Sequence, residues 1–141
     1  MKKFSFELED ILEFRKFEQQ QAEFELGKVL AVERQIQLKL ESVASRQADV
    51  QKCTAGSLDF SEIASAYRFY DFSRAKSAML MGMLADAQHV SDGKRELLRR
   101  AMNKTDALKR LKEEQADAYY ADAIREEDNF IDDVVTGRYK R

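Results

Sequence analysis

Two helical heptad tracts meeting at one short break constrain this chain more than any other feature. The first tract runs from about Phe4 to Cys53 and the second from about Phe60 to Val135. No proline occurs anywhere in the 141 residues, so neither tract contains a residue that an α-helix excludes. A helix with one long apolar seam must lay that seam against another helix, which leaves few folds open.

In the first tract, alternating steps of four and three select Leu8, Leu12, Arg15, Gln19, Ala22, Leu26, Val29, Glu33, Ile36, Leu40, Val43, Gln47 and Val50. Most of these are apolar, a run that a solvated helix would not sustain. The polar occupants weaken the seam and help to fix its register. In the second tract the same alternation selects Phe60, Ile63, Tyr67, Tyr70, Arg74, Ser77, Met81 and Leu84. It drifts near His89-Val90-Ser91-Asp92-Gly93 and resumes with Leu98, Ala101, Leu108 and Leu111. Ser91-Asp92-Gly93 carries residue types that cap a third helix, but no apolar staple or well-placed acid supports one. A local bend or coiled-coil phase shift is expected there instead.

The break predicts a turn over residues 54–59. Gly56 suits the left-handed conformation that ends a helix. Asp59 is placed to cap the next helix, with Glu62 completing a capping box and Leu58 and Ile63 forming a hydrophobic staple. Charge favours antiparallel pairing independently of the seam. Residues 7–25 hold seven acids and two bases, and residues 94–112 hold eight bases and two acids. A fold about Ser57 brings these opposite blocks together, which disfavours competing registers. The expectation is all-α: a single coiled-coil hairpin over 1–141, monomeric and antiparallel, with helices over 4–53 and 60–135. At 1.5 Å per residue the arms are roughly 75 and 115 Å long, so about the last 28 residues form a C-terminal helical overhang. Ala116, Tyr119, Ala123, Phe130 and Val134 lie along one side of it. Residues 113–133 carry nine acids against one base, and Arg138, Lys140 and Arg141 close the chain.

Composition narrows the function classes. A content of 35% charged residues suits a coiled coil better than a compact core. Net charge −2 argues against general nucleic-acid binding. No stretch approaches the roughly 18 apolar residues of a membrane span. The opening Met-Lys-Lys-Phe-Ser-Phe-Glu has no signal-peptide core, and one cysteine permits no intramolecular disulfide, so a cytoplasmic location is expected. No phosphate-binding glycine loop, paired cysteine ligands or His-acid metal spacing occurs. His89 reads as a solvated or seam residue, Cys53 as a small residue beside the turn, and Glu126-Glu127-Asp128 as a solvated face lacking a calcium loop's glycine turn. Neither a catalytic site, a cofactor nor a metal is expected.

Aromatic and thioether side chains on the outer heptad positions resist so plain a reading. Phe14, Phe17 and Phe24 fall there in the first helix; Phe69, Phe72, Met79 and Met83 do so in the second, with Lys76 between them. Either the heptad phase is wrong and these residues are core, or they form an apolar stripe that marks a contact surface. Phenylalanine and methionine suit an adaptable docking face for a partner helix or segment.

The opening Phe4-Ser5-Phe6-Glu7-Leu8 with Leu12 and Arg15 resembles the N-terminus of the flagellar FliJ family. Leu98, Ala101, Lys109, Leu111 and Lys112, then Tyr119, Glu127, Ile131-Asp132-Asp133 and Arg138, extend the resemblance to the tail. It implies a non-enzymatic antiparallel coiled coil similar to the central stalk of rotary ATPases: a stiff rod in the cytoplasm, held peripherally at the inner-membrane export apparatus. The implied partners are the hexameric export ATPase, met at the end bearing both termini, the cytoplasmic part of the membrane export gate, and export chaperones. The family's gate-binding stripe has spacing 4, 3, 4 and begins with phenylalanine, a pattern matched by Phe72, Lys76, Met79 and Met83. Lys76 and Met83 depart from the residues usual there. Phe14, Phe17 and Phe24 fall to the ATPase on this reading. A generic coiled-coil scaffold or chaperone-like adaptor is the alternative that composition and periodicity leave open.

Overall fold

The computed structural model describes residues 2–140, so Arg141 lies outside the described residues. Two helices, α1 (Glu9–Thr54) and α2 (Phe60–Tyr139), pack against each other as a helical hairpin. The chain falls into two compact units: one takes Ala22–Leu98, the other Met1–Gln21 with Arg99–Arg141.

The Ala22–Leu98 unit contains the turn. Its core is Ile36, Val43 and Leu80, with Leu40, Leu84 and Ala87 packed against it. Every α1 seam position expected in this unit, from Ala22 to Val50, is buried or half-buried. Glu33 is among the buried ones, and its Oε1 has no hydrogen-bond partner among the described residues.

On α2 the seam differs from the expected one. Ile63, Tyr70, Ser77 and Leu84 face α1, but the positions between them are Ala66, Ser73 and Leu80. Phe60, Tyr67, Arg74 and Met81 are exposed. The expected alternation placed Phe60, Tyr67, Arg74 and Met81 at the seam, whereas packing selected Ala66, Ser73 and Leu80. Alanine and serine at Ala66, Ser73 and Ser77 leave little bulk between the helices, and tyrosine or methionine there would push them apart. The drift near Ser91 is absent. The alternation runs straight through Ala87, Ser91, Lys94 and Leu98, and α2 is one helix across Gly93. Ser91 is buried, and its hydroxyl donates to the Gln88 carbonyl at 3.0 Å, so it needs no cap role.

Gly56 turns the chain with φ +80°, and the Ser57 amide donates to the Thr54 carbonyl across it. Asp59 caps α2: its Oδ1 accepts from the Ser61 amide at 3.0 Å, and its carbonyl accepts the first helical bond from Ile63. The capping box and the staple do not form. Glu62 accepts from the Ser57 hydroxyl instead, and that hydroxyl also takes the Asp59 amide at 3.4 Å. Leu58 is 99% exposed and so cannot pack on Ile63.

In the other unit, Leu12 and Thr105 are fully buried at the seam. The Thr105 hydroxyl shares its proton between the Ala101 carbonyl of its own helix, at 3.0 Å, and the Arg15 carbonyl of α1, at 3.2 Å. Lys112 Nζ reaches Glu9 Oε2 at 2.8 Å, one ion pair between the opposite charge blocks. The helix begins at Glu9 rather than Phe4. The preceding segment is non-helical and buries Phe6, while Phe4 sets its ring 5.7 Å from that of Tyr119. The Tyr119 hydroxyl donates to the Lys2 carbonyl and ties the segment down. The overhang is accordingly shorter than expected: Ala116, Tyr119 and Ala123 are half-buried, and Ala123 is the last described residue of α2 that is not exposed. From Ile124 to Lys140 every described residue is exposed, although α2 stays helical through Tyr139.

Candidate docking surfaces

With the seam filled, the remaining apolar side chains can be sorted by what they touch. Phe14 and Phe17, in the unit containing the termini, are 56% and 55% exposed. They sit two and five residues past Leu12, on the turn faces that the seam turns away from α2. The Arg15 guanidinium lies 5.9 Å from the Phe14 ring centroid and is held at 2.8 Å by Glu18. Phe24, in the other unit, is 61% exposed under Lys28 Nζ, 4.5 Å above its ring. These cations cover one ring face each and leave the rings open to solvent at their edges.

On α2, Phe72, Met79 and Met83 are exposed, as the heptad argument requires. Phe69 and Lys76 are only half-buried, a correction to their expected outward position. Shifting the seam from Tyr67, Arg74 and Met81 to Ala66, Ser73 and Leu80 rotates the stripe toward the hairpin's flank. Phe69 therefore lines a hollow beside the turn with Val50, Cys53 and Ala66, its ring 6.2 Å from Tyr70. The stripe expected from the sequence ended at Met83. With the seam running through Ser91 and Lys94, exposed Val90 and Leu97 continue it at the same spacing, with Gly93 between them. The nine residues from Ser77 to Ala85 carry no charge, so exposed Met79, Met81 and Met83 emerge from a helical segment that is apolar on every side.

The tail of α2 shows a third set, with Ile124, Phe130, Ile131, Val134 and Val135 all exposed among acids. Cys53 is a free, exposed thiol, and His89 is exposed. Among the described residues no group of histidine, cysteine and carboxylate side chains is arranged to hold a metal ion. No helix among them is long and apolar enough to cross a membrane.

A two-helix hairpin whose seam is filled while large apolar residues remain on its outer faces belongs to the class of all-α coiled-coil hairpins, and its exposed apolar patches are candidate contact surfaces. The particular family follows from comparison with known proteins: the family model described as flagellar FliJ protein matches residues 4–141. The chain belongs to the FliJ family and is a component of the flagellar export apparatus. No curated protein and no solved structure matches it significantly.

Proposed function

We propose that this protein is a non-enzymatic stalk and coupling component of the export apparatus. It docks to the export ATPase ring and to the cytoplasmic part of the membrane export gate, and it handles export chaperones. It works in the cytoplasm and meets the inner membrane only through these partners. The observation that carries the reading is the exposed strip of Phe72, Met79 and Met83 on α2, beside a seam complete without them. The strip presents side chains at the spacing with which a helix meets a partner segment. For the ATPase, Phe14 and Phe17 supply apolar anchors, and exposed Lys104, Lys109 and Arg110 supply charge for steering. Phe24 is a separate exposed anchor.

Burying one such side chain at an interface contributes about 1.5–3 kcal/mol, so Phe72→Ala lowers gate affinity about tenfold or more. Titrating the gate's cytoplasmic segment against the wild-type and variant proteins measures this, with swimming motility as a cellular readout. Replacing Phe14 and Phe17 with serine weakens ATPase binding in a parallel titration while helical content stays unchanged. Unaltered gate affinity in Phe72→Ala, or unfolding of the free variant, would remove the assignment.

A further inference from the structure

The strip on the flank of α2 has a property that gate docking does not use: it is complementary to itself. Its residues, from Phe69 through Phe72, Lys76, Met79, Met83, Asp86 and Val90 to Gly93, all lie within the Ala22–Leu98 unit. Positions equally far from Met81 on either side match in chemistry. Lys76 is mirrored by Asp86, Met79 by Met83, Phe72 by Val90 and Phe69 by Gly93. Lys76 and Asp86 make no ion pair with any described residue. A Cβ built on Gly93 meets no atom within 4 Å, so this position is an open notch on the strip.

The geometry points to a second copy of this chain as an occupant of the strip, with the two α2 helices antiparallel about a twofold axis at Met81. Antiparallel pairing brings mirrored positions together, and the twofold repeats each contact. Lys76 of each copy then meets Asp86 of the other, giving two reciprocal ion pairs. Met79 packs on Met83, and Phe72 on Val90. The ring edge of Phe69 enters the notch at Gly93, where any side chain would collide with it. The match is specific to the antiparallel arrangement at this register. A parallel pairing sets Lys76 against Lys76 and Asp86 against Asp86, and a shift of one turn separates each ion pair. The contact runs about 36 Å along α2. It adds to the hairpin without altering its seam, so it is a concentration-dependent association of folded monomers. Pairing covers Phe72, Met79 and Met83, so the dimer and the gate-docked form exclude one another; this consequence, unlike the pairing, rests on the gate reading.

Sedimentation of the full chain over a concentration series tests the pairing, in a Cys53→Ser background that removes disulfide-linked dimers. The wild type moves reversibly from monomer to dimer. Lys76→Glu and Asp86→Lys each convert both ion pairs into like-charge contacts and raise the dimer dissociation constant about tenfold or more. Lys76→Glu combined with Asp86→Lys restores it, because every contact again joins opposite charges. Gly93→Phe abolishes the dimer while leaving the helical signal intact, and it serves in place of Lys76→Glu should that half-buried position perturb the hairpin. A wild type that stays monomeric throughout would overturn the proposal. So would a dimer indifferent to the single reversals, or a double reversal as weak as either single.

Discussion

Leu80 and Met81 are adjacent, yet their roles in the hairpin are opposite, and substituting each with alanine measures where the seam runs. Leu80 is 2% exposed and packs with Ile36 and Val43, whereas Met81 is 63% exposed. Full burial of a leucine is worth about 1.5–3 kcal/mol from transfer alone, and Leu→Ala in a core costs about 2–5 kcal/mol once the residual cavity is included. A two-helix seam is open at both flanks, so side chains and water relax into the space and the cavity contribution is small. The cost of Leu80→Ala therefore falls at about 2–3 kcal/mol. Met81→Ala removes a solvated side chain and substitutes a better helix former, leaving stability within about 0.5 kcal/mol. Urea unfolding followed by far-ultraviolet circular dichroism reads the difference. With a slope of about 1–3 kcal/mol per molar, Leu80→Ala lowers the midpoint by about 0.7–3 M, and Met81→Ala moves it far less. Equal shifts, or a larger one for Met81→Ala, would refute the seam and with it the placement of the docking strip.

Gly56→Ala forces a Cβ into the left-handed region at φ +80° and costs about 1–2 kcal/mol, read as a lower thermal midpoint with helical content retained. Glu33→Leu replaces a buried carboxylate whose Oε1 is unpartnered with an apolar side chain on the α1 seam. It raises stability by about 1–3 kcal/mol in the same urea assay, and a destabilised variant would show that the carboxylate is held by a favourable contact.

The sequence by itself determined the hairpin, the antiparallel pairing, the Gly56 turn and the Asp59 cap. Each rests on interactions within a few residues or on a period repeated over many turns, and such signals survive without knowledge of distant contacts. On α1 it also determined the seam, because there the four-three alternation holds without a break from Leu12 to Val50 and every position it selects is buried or half-buried. The second seam was settled only by the tertiary structure. Choosing between Ala66 and Tyr67, Ser73 and Arg74, or Leu80 and Met81 depends on how closely two backbones approach, a distance belonging to both helices together. The same holds at Ser91, where a local Ser-Asp-Gly pattern suggested an interruption and continuous packing through Ala87 and Leu98 overrode it. The N-terminal segment stays outside the helix that begins at Glu9, where the Phe4 ring and the Lys2 carbonyl meet Tyr119 more than a hundred residues away, beyond the reach of any local signal. Exposure of Phe14, Phe17, Phe72 and Met79 was legible from the heptads, whereas Phe69 and Lys76 turned toward the flank once the true seam was known. The continuation of the strip to Val90 and the notch at Gly93 became visible only then, because a surface is what remains after the core has been chosen.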